Sequence, residues 1–327
     1  MKKRYINIAY IFLSALTLVS ANLMAQEDKV WALKTEAKWK FSIGDSMRWA
    51  QTTFDDSDWD LLKVPGAWED QGFYNYDGFG WYRTSIVIGK EFKNHDLFLS
   101  LGYIDDVEQV YFNGNLIGFS GKFPPEYSTG LEAKRKYAIP EQYINFQGKN
   151  TIAVRIYNLQ LAGGIISGDQ GVFYYKNPKP DISLNGLWQF RTGDSKLWKS
   201  QTYKDNSWKR ISVPGNWENQ GFKGYKGDAW YRKSFLLPEE AETGKYILVL
   251  GAIPDNCQVY INNTELQSVG KAFTIKIPDD LKRFRVFAVP ENALALGKKN
   301  TLAIRFDSSD SISGIQKGPI GLFKTSD

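Results

Sequence analysis

The chain writes nearly the same ten residues twice, VPGAWEDQGF at Val64–Phe73 and VPGNWENQGF at Val213–Phe222, 149 positions apart. Carried outward at that offset, Trp39–Arg83 aligns with Trp188–Arg232 without a gap, and 22 of the 45 positions are identical. LFLSLGYIDDVEQVYFNG (Leu97–Gly114) then falls on YILVLGAIPDNCQVYINN (Tyr246–Asn263), and at an offset of 150 KNTIAVRI (Lys149–Ile156) falls on KNTLAIRF (Lys299–Phe306). A repeat of about 145 residues has the size of a domain and is far longer than a solenoid unit, so each copy is expected to fold by itself. The join is expected in YKNPKPDIS (Tyr175–Ser183), where Pro178 and Pro180 interrupt regular structure. This divides the chain into a leader at 1–25, a first unit at 26–176 and a second at 177–327.

Within each unit the apolar period is two. Ile152, Val154 and Ile156 share one face of a strand, as do Leu302, Ile304 and Phe306 in the second copy. Asn113-Gly114, with Asn262-Asn263 as its counterpart, sits between β-rich flanks as a two-residue hairpin turn, because both positions tolerate positive φ. Beyond the leader, no window keeps a 3.6-residue period for the length of a helix. The expected fold is all-β, with an antiparallel sandwich in each copy, and no stretch supplies the alternating strands and helices of a (β/α)₈ barrel.

The leader shows Lys2, Lys3 and Arg4, an apolar run over 8–19, and small residues that suit cleavage after Ala21 or Ala25, the layout of a secretory signal. A secreted or periplasmic location follows as an expectation, with no transmembrane segment in the mature chain. Loss of the leader removes three positive charges and no acids, so the net charge of +5 becomes +2. Cations scattered at that balance do not form the basic stripe that nucleic acid requires. Cys257 is the only cysteine, so no disulfide forms within the chain, and stability rests on a core drawn from 43% hydrophobic residues, 11 Trp, 18 Tyr and 20 Phe.

The motif order W-x-F, VPG-x-WE-x-QGF, G-x-x-WYR, LG-x-I-x-D, VY-x-N and KNT-x-A-x-R resembles the galactose-binding-like jelly-roll domain that precedes the catalytic barrel of family 2 glycoside hydrolases such as β-galactosidases. It also resembles the accessory β-domain of bacterial sialate O-acetylesterases, and both copies match. The resemblance implies two tandem galactose-binding-like jelly-roll sandwiches, with catalytic groups housed in a domain of another kind. The expected function is that of a non-catalytic carbohydrate-binding protein, with a glycan as partner and a separate glycan-degrading enzyme as a candidate second one; a β-galactosidase-like or sialate O-acetylesterase-related hydrolase and a protein-binding scaffold are the alternative readings. In β-galactosidases an Asn before the Trp of this segment approaches the sugar; Asn216 matches it, whereas the first copy has Ala67.

The side chains themselves offer little for catalysis. GDS occurs at Gly44–Ser46 and Gly193–Ser195, but His95 is the only histidine and the second copy has none, so a serine nucleophile there lacks its base. The tripeptide reads as a β-turn. Acids retained in both copies (Asp45/Asp194, Asp56/Asp205, Glu69/Glu218, Asp106/Asp255 and Glu141/Glu291) read as turn and capping groups, since duplication preserves what a fold needs. No catalytic residue is assigned, and no metal ligands or cofactor either; sandwiches of this kind sometimes hold a structural calcium through carbonyls, which sequence does not display.

Sugars stack their C–H faces on aromatic rings and bond polar groups at their edges. The Gly-rich, aromatic-dense segments around the decapeptides supply a candidate carbohydrate set: Trp68, Tyr76, Trp81 and Arg83, with Asn216, Trp217, Tyr225, Trp230 and Arg232 in the second copy. A second reading stands beside it, in which Trp81-Tyr82-Arg83 opens a core strand and its arginine pairs with a buried acid.

Overall fold

The computed structural model describes residues 29–239, 241, 246–253, 257–269, 277–307 and 314–325. The expected leader lies outside them, as does Asp255. The described chain is all-β, as expected. Its helical segments are short 3₁₀ turns, and its strands form four sheets whose ladders are antiparallel.

In the first half a six-stranded sheet runs in the order Asp60–Lys63, Lys38–Ile43, Gly78–Val87, Lys149–Asn158, Val107–Phe112, Asn115–Ser120. The second half repeats that order with Lys209–Val213, Gly186–Thr192, Ala229–Leu236, Lys299–Phe306, Cys257–Ile261 and Thr264–Glu265. Each is joined by a five-stranded sheet, centred on Leu97–Asp105 in the first half and on Tyr246–Ala252 in the second. Alternation along Lys38–Ile43 turns Trp39 and Phe41 inward, where they meet Leu99 and Leu101 of the other sheet in one buried cluster. Trp188 and Phe190 meet Leu248 and Leu250 in the same manner. The hairpin residues Asn113 and Gly114 adopt φ of 48° and 77°, and Asn262 and Asn263 adopt 47° and 75°. The repeated KNT supplies a latch beneath each hairpin. Fully buried Asn150 accepts from the Asn145 amide at 2.7 Å and from Asn113 Nδ2 at 2.8 Å, and Asn300 does the same with Ala295 and Asn262.

The decapeptide recurs because nearly every residue in it is engaged. Gln71 accepts from the Lys63 amide at 2.6 Å and donates to the Lys63 and Ala67 carbonyls, so it staples the turn to the preceding strand; Gln220 staples Ser212 and Asn216 in turn. Glu69 accepts from the Gly163 amide at 2.9 Å, while Gly66 and Trp68 donate to the carbonyls of Ile165 and Gly163. Gly163 is required by close approach, since a Cβ there would stand 2.3 Å from the Trp68 ring.

The two halves touch at named points. Phe119 of the first half packs against the core of the second. The Gly121 amide donates to the Asn219 carbonyl at 2.9 Å, and Asn185 Nδ2 donates to Asp96 Oδ2 at 2.7 Å. Asp96 keeps only a small exposed edge. Burial pushes its carboxyl up to about 6 from an ordinary 3.8, against the pull of Ser183, Lys179 and Asn185 and with a further push from Glu141. A carboxyl raised on folding contributes its full stability below the unfolded value near 3.8 and loses it as pH climbs through about 6, a loss of at most about 3 kcal/mol. Asp96→Asn is therefore expected to melt higher than the parent at pH 8, with the gap closing by pH 4. Thermal melts across that range check the sign.

Candidate carbohydrate site

Of the nine sequence-predicted residues, the four tryptophans and two arginines are buried, and Tyr76, Asn216 and Tyr225 are half-buried. Trp68, Trp81, Trp217 and Trp230 are between 0 and 2% exposed, so none of these indoles offers a ring face to a sugar. Trp68 packs on Phe41 at 5.4 Å and its Nε1 donates to the Tyr76 carbonyl. Trp217 holds the equivalent place against Phe190 at 5.3 Å. Tyr76 and Tyr225 close their own loops by donating to Phe79 and Asp228 carbonyls. Asn216 accepts the Glu218 amide at 2.9 Å in a tight turn. Arg83 and Arg232 pair through Nε with Asp56 and Asp205 at 2.7 Å each, and reach the carbonyls of Trp49 and Trp198. Trp81, Tyr82 and Arg83 lie in the buried middle of the Gly78–Val87 strand, as the second reading expects, but the acid that Arg83 meets is only half-buried.

Several of the acids shared by the halves are similarly committed. Asp45 accepts from Trp81 Nε1 at 3.0 Å and holds Arg155 at 2.5 and 2.7 Å; burial raises its carboxyl, but these bonds outweigh it and hold the group below the usual range. Asp194 holds Arg305 and Trp230 correspondingly. Asp106 accepts from Thr129, and Glu141 from Lys179. Ser195 caps a short turn by accepting from the Leu197 amide. His95 stacks on Tyr174 with centroids 3.9 Å apart, and burial, with Lys179 nearby, lowers its pKa. Cys257 packs against the second core. Among the described residues no group of three or more His, Cys, Asp or Glu side chains could hold a metal ion, and no helix is long and apolar enough to cross a membrane.

Half-open aromatic surface lies instead where the copies differ. Phe79 occupies the position of Asp228. Its ring stacks parallel to Phe123 at 5.8 Å, the Arg155 guanidinium sits 4.6 and 4.3 Å from the two centroids, and Tyr157 leans on Phe79 at 4.9 Å. In the second half Arg305 meets the Asp228 carboxylate at 3.0 Å. Phe123 borders a cleft of about 430 Å³ between the halves, with Phe119, Phe222, Gln109, Lys209 and Arg210 among its walls. Lys122 and Glu126 also line it, 3.9 Å apart, so cations outnumber acids there. A flat ring beside amides and cations is the combination that grips a sugar face and its charged substituents. The sequence signal for it was divergence, Phe79 against Asp228, just ahead of the shared Trp-Tyr-Arg.

Residues 44–162 match the family model described as the β-galactosidase second all-β domain. The first half is an all-β domain related to those of glycoside hydrolase family 2. A provisionally named β-glucuronidase of Formosa agariphila is 30% identical over 141 residues, covering 37% of this chain and 12% of that one. β-Galactosidase BoGH2A of Bacteroides ovatus is 24% identical over 136 residues, covering 38% and 15%. The chain thus spans a small fraction of those relatives' length. Among solved structures, a Bacteroides uniformis β-glucuronidase aligns at 18% identity over 86% of this chain and 28% of its own, with a TM-score of 0.39.

Proposed function

We propose that the chain is an exported, non-catalytic carbohydrate-binding accessory protein of glycan breakdown, built of two tandem galactose-binding-like jelly-roll sandwiches that work beside a separate glycan-degrading enzyme. The observation that carries this reading is the match of 44–162 to an accessory β-domain of glycan-cleaving enzymes. Two features support it: the acids that a hydrolase would need are tied to arginine, tryptophan and backbone partners, and the Phe123 cleft has the ring and hydrogen-bonding groups that a saccharide requires. The excess of Lys122, Lys209 and Arg210 over Glu126 favours saccharides bearing carboxylate or sulfate.

A glycan array on the mature chain, followed by titration calorimetry, tests this. Acidic oligosaccharides are expected to bind, with Phe123→Ala weakening them at least tenfold, about the worth of one stacked aromatic. Lys209→Gln with Arg210→Gln is expected to weaken them further at low salt than at high. Melting temperatures should stay unchanged, because these side chains lie at the surface of the cleft. Absence of array signal, or affinity that survives Phe123→Ala, would overturn the assignment.

A further inference from the structure

Lysines that lie far apart in the sequence are gathered by strand register onto one face of the first half. Lys29–Lys34, Gly171–Tyr175, Leu97–Asp105 and Arg135–Ile139 run side by side, with Trp31 opposite Phe173, Phe173 opposite Phe98 and Phe98 opposite Ala138. Side chains alternate along a strand, so Leu97, Leu99 and Val172 join the core while Trp31, Phe98, Phe173 and Tyr175 form a separate cluster on the opposite face. Lys29, Lys134 and Lys136 line one hollow there, together with Ser100, Phe173 and Tyr175. The rings seat the ammoniums. Lys29 Nζ lies 3.6 Å from the Trp31 centroid and 4.1 Å from that of Phe173, Lys34 Nζ lies 3.7 Å from that of Trp31, and Lys136 Nζ donates to the Tyr175 hydroxyl at 3.2 Å.

Ammoniums held this close repel one another. Asp169 pairs with Lys34 at 2.8 Å, whereas among the described residues no carboxylate pairs with Lys29 or Lys134. Burial pulls the Lys29 ammonium down to about 8, with Lys134, Lys34 and Lys136 adding to the fall and Asp169 opposing it. The second copy does not keep the arrangement. Where Lys136 stands opposite Ser100 in the first half, Val286 stands opposite Val249 in the second, and Leu281 and Phe323 join them in an apolar cluster. The fold thus closes this face with hydrocarbon in one copy, so the lysines of the other serve something beyond folding.

The pattern selects the partner. Ammoniums seated on rings have already given up side-chain freedom, so they hold an anion at less entropic cost than free surface lysines do. Lysine is a point charge without the planar fork that suits carboxylates, and several lysines round one hollow call for more charge than the single carboxylate of a uronate ring. Phe98 and Phe173 are 5% and 1% exposed, and Trp31 and Tyr175 are half-buried, so no ring stands out to enter a lipid layer. The lysines also sit round a hollow rather than along the stripe that a duplex backbone tracks. We propose that this face is a docking surface for a sulfated polysaccharide, whose sulfate groups lie against Lys29, Lys134 and Lys136. The proposal rests on the reading of the chain as a carbohydrate binder, and it adds to the Phe123 cleft a second, separate hold on the polymer.

The test uses the whole mature chain with dextran sulfate, polygalacturonate, uncharged dextran, duplex DNA and phosphatidylglycerol vesicles, read by calorimetry. The proteins are the parent, Phe123→Ala, and Phe123→Ala carrying Lys29→Gln with Lys134→Gln. Both lysines are exposed, so melting temperatures should stay unchanged. Lys38→Gln with Lys63→Gln, added to Phe123→Ala, removes the same charge from two exposed lysines of another sheet and serves as the control. Dextran sulfate is expected to bind Phe123→Ala, to weaken at least tenfold when Lys29 and Lys134 are also changed, and to stay within threefold of Phe123→Ala in the control; uncharged dextran is expected not to bind. Affinity that survives loss of Lys29 and Lys134, equal weakening by the control, or polygalacturonate, DNA or vesicles binding as tightly as dextran sulfate overturns the proposal. If Phe123→Ala alone abolishes saccharide binding, the sheet face falls while the carbohydrate reading stands. If no saccharide binds the parent, both fall.

Discussion

Replacing Glu108 with alanine is expected to lower the stability of the first half by about 3–5 kcal/mol, the range found when one partner of a buried ion pair is removed. Glu108 and Arg135 are both sealed from solvent, with Arg135 Nε 2.8 Å from Glu108 Oε2. Tyr137 donates to the other carboxylate oxygen and shares a 2.7 Å bond with Ser120. The remaining guanidinium protons go to the carbonyls of Asp106, Ala133 and Leu131. Burial, together with the Glu108 charge, pushes the Tyr137 phenol well above its usual range, so that ring stays a neutral donor. Without Glu108 the guanidinium keeps its charge and loses its counterion. Urea denaturation of Glu108→Ala, Arg135→Met and the paired Glu108→Leu with Arg135→Met separates the causes. The double variant is expected to recover part of the loss, because two matched apolar groups leave no charge stranded. A double variant as unstable as the sum of the singles would count against a coupled pair.

Trp68→Ala is expected to cost about 3–5 kcal/mol, and Trp217→Ala a similar amount, as large aromatic truncations in a sealed core do. The indole of Trp68 touches Phe41, Tyr76 and Tyr82, and Trp217 touches Phe190, Tyr231 and Phe306. Neither borders the Phe123 cleft. The expected signature is a lowered urea midpoint, with saccharide affinity of the folded fraction within twofold of the parent. A variant that lost sugar binding at unchanged midpoint would restore these residues to the binding surface.

That contrast shows what the sequence could disclose. Period-two alternation and positive-φ hairpin pairs follow from backbone sterics that any copy must satisfy, so the strands holding Ile152 and Leu302 and the turns at Asn113 and Asn262 were legible. The duplication also made the shared acids legible as structural. The same logic misled at the aromatic loops. WEDQGFYNY looks open because it is rich in glycine and amides, yet Gln71 turns those amides back onto the strand, and Gly163, distant in sequence, lets another loop lie across Trp68. Contacts over 95 positions leave no local periodicity to read. The Phe79–Phe123 surface was hidden for the reverse reason: comparing copies rewards agreement, and this surface exists only where the agreement fails.

The contact between the halves is directional. Phe119 plugs into the neighbouring core, but the same offset puts Ser268 at the corresponding place in the second half, and Ser268 is exposed. Head-to-tail association of like units propagates into filaments unless one end is blunted. Ser268 presents no ring at that place, so the plug that Phe119 makes is not repeated by its counterpart in the second half.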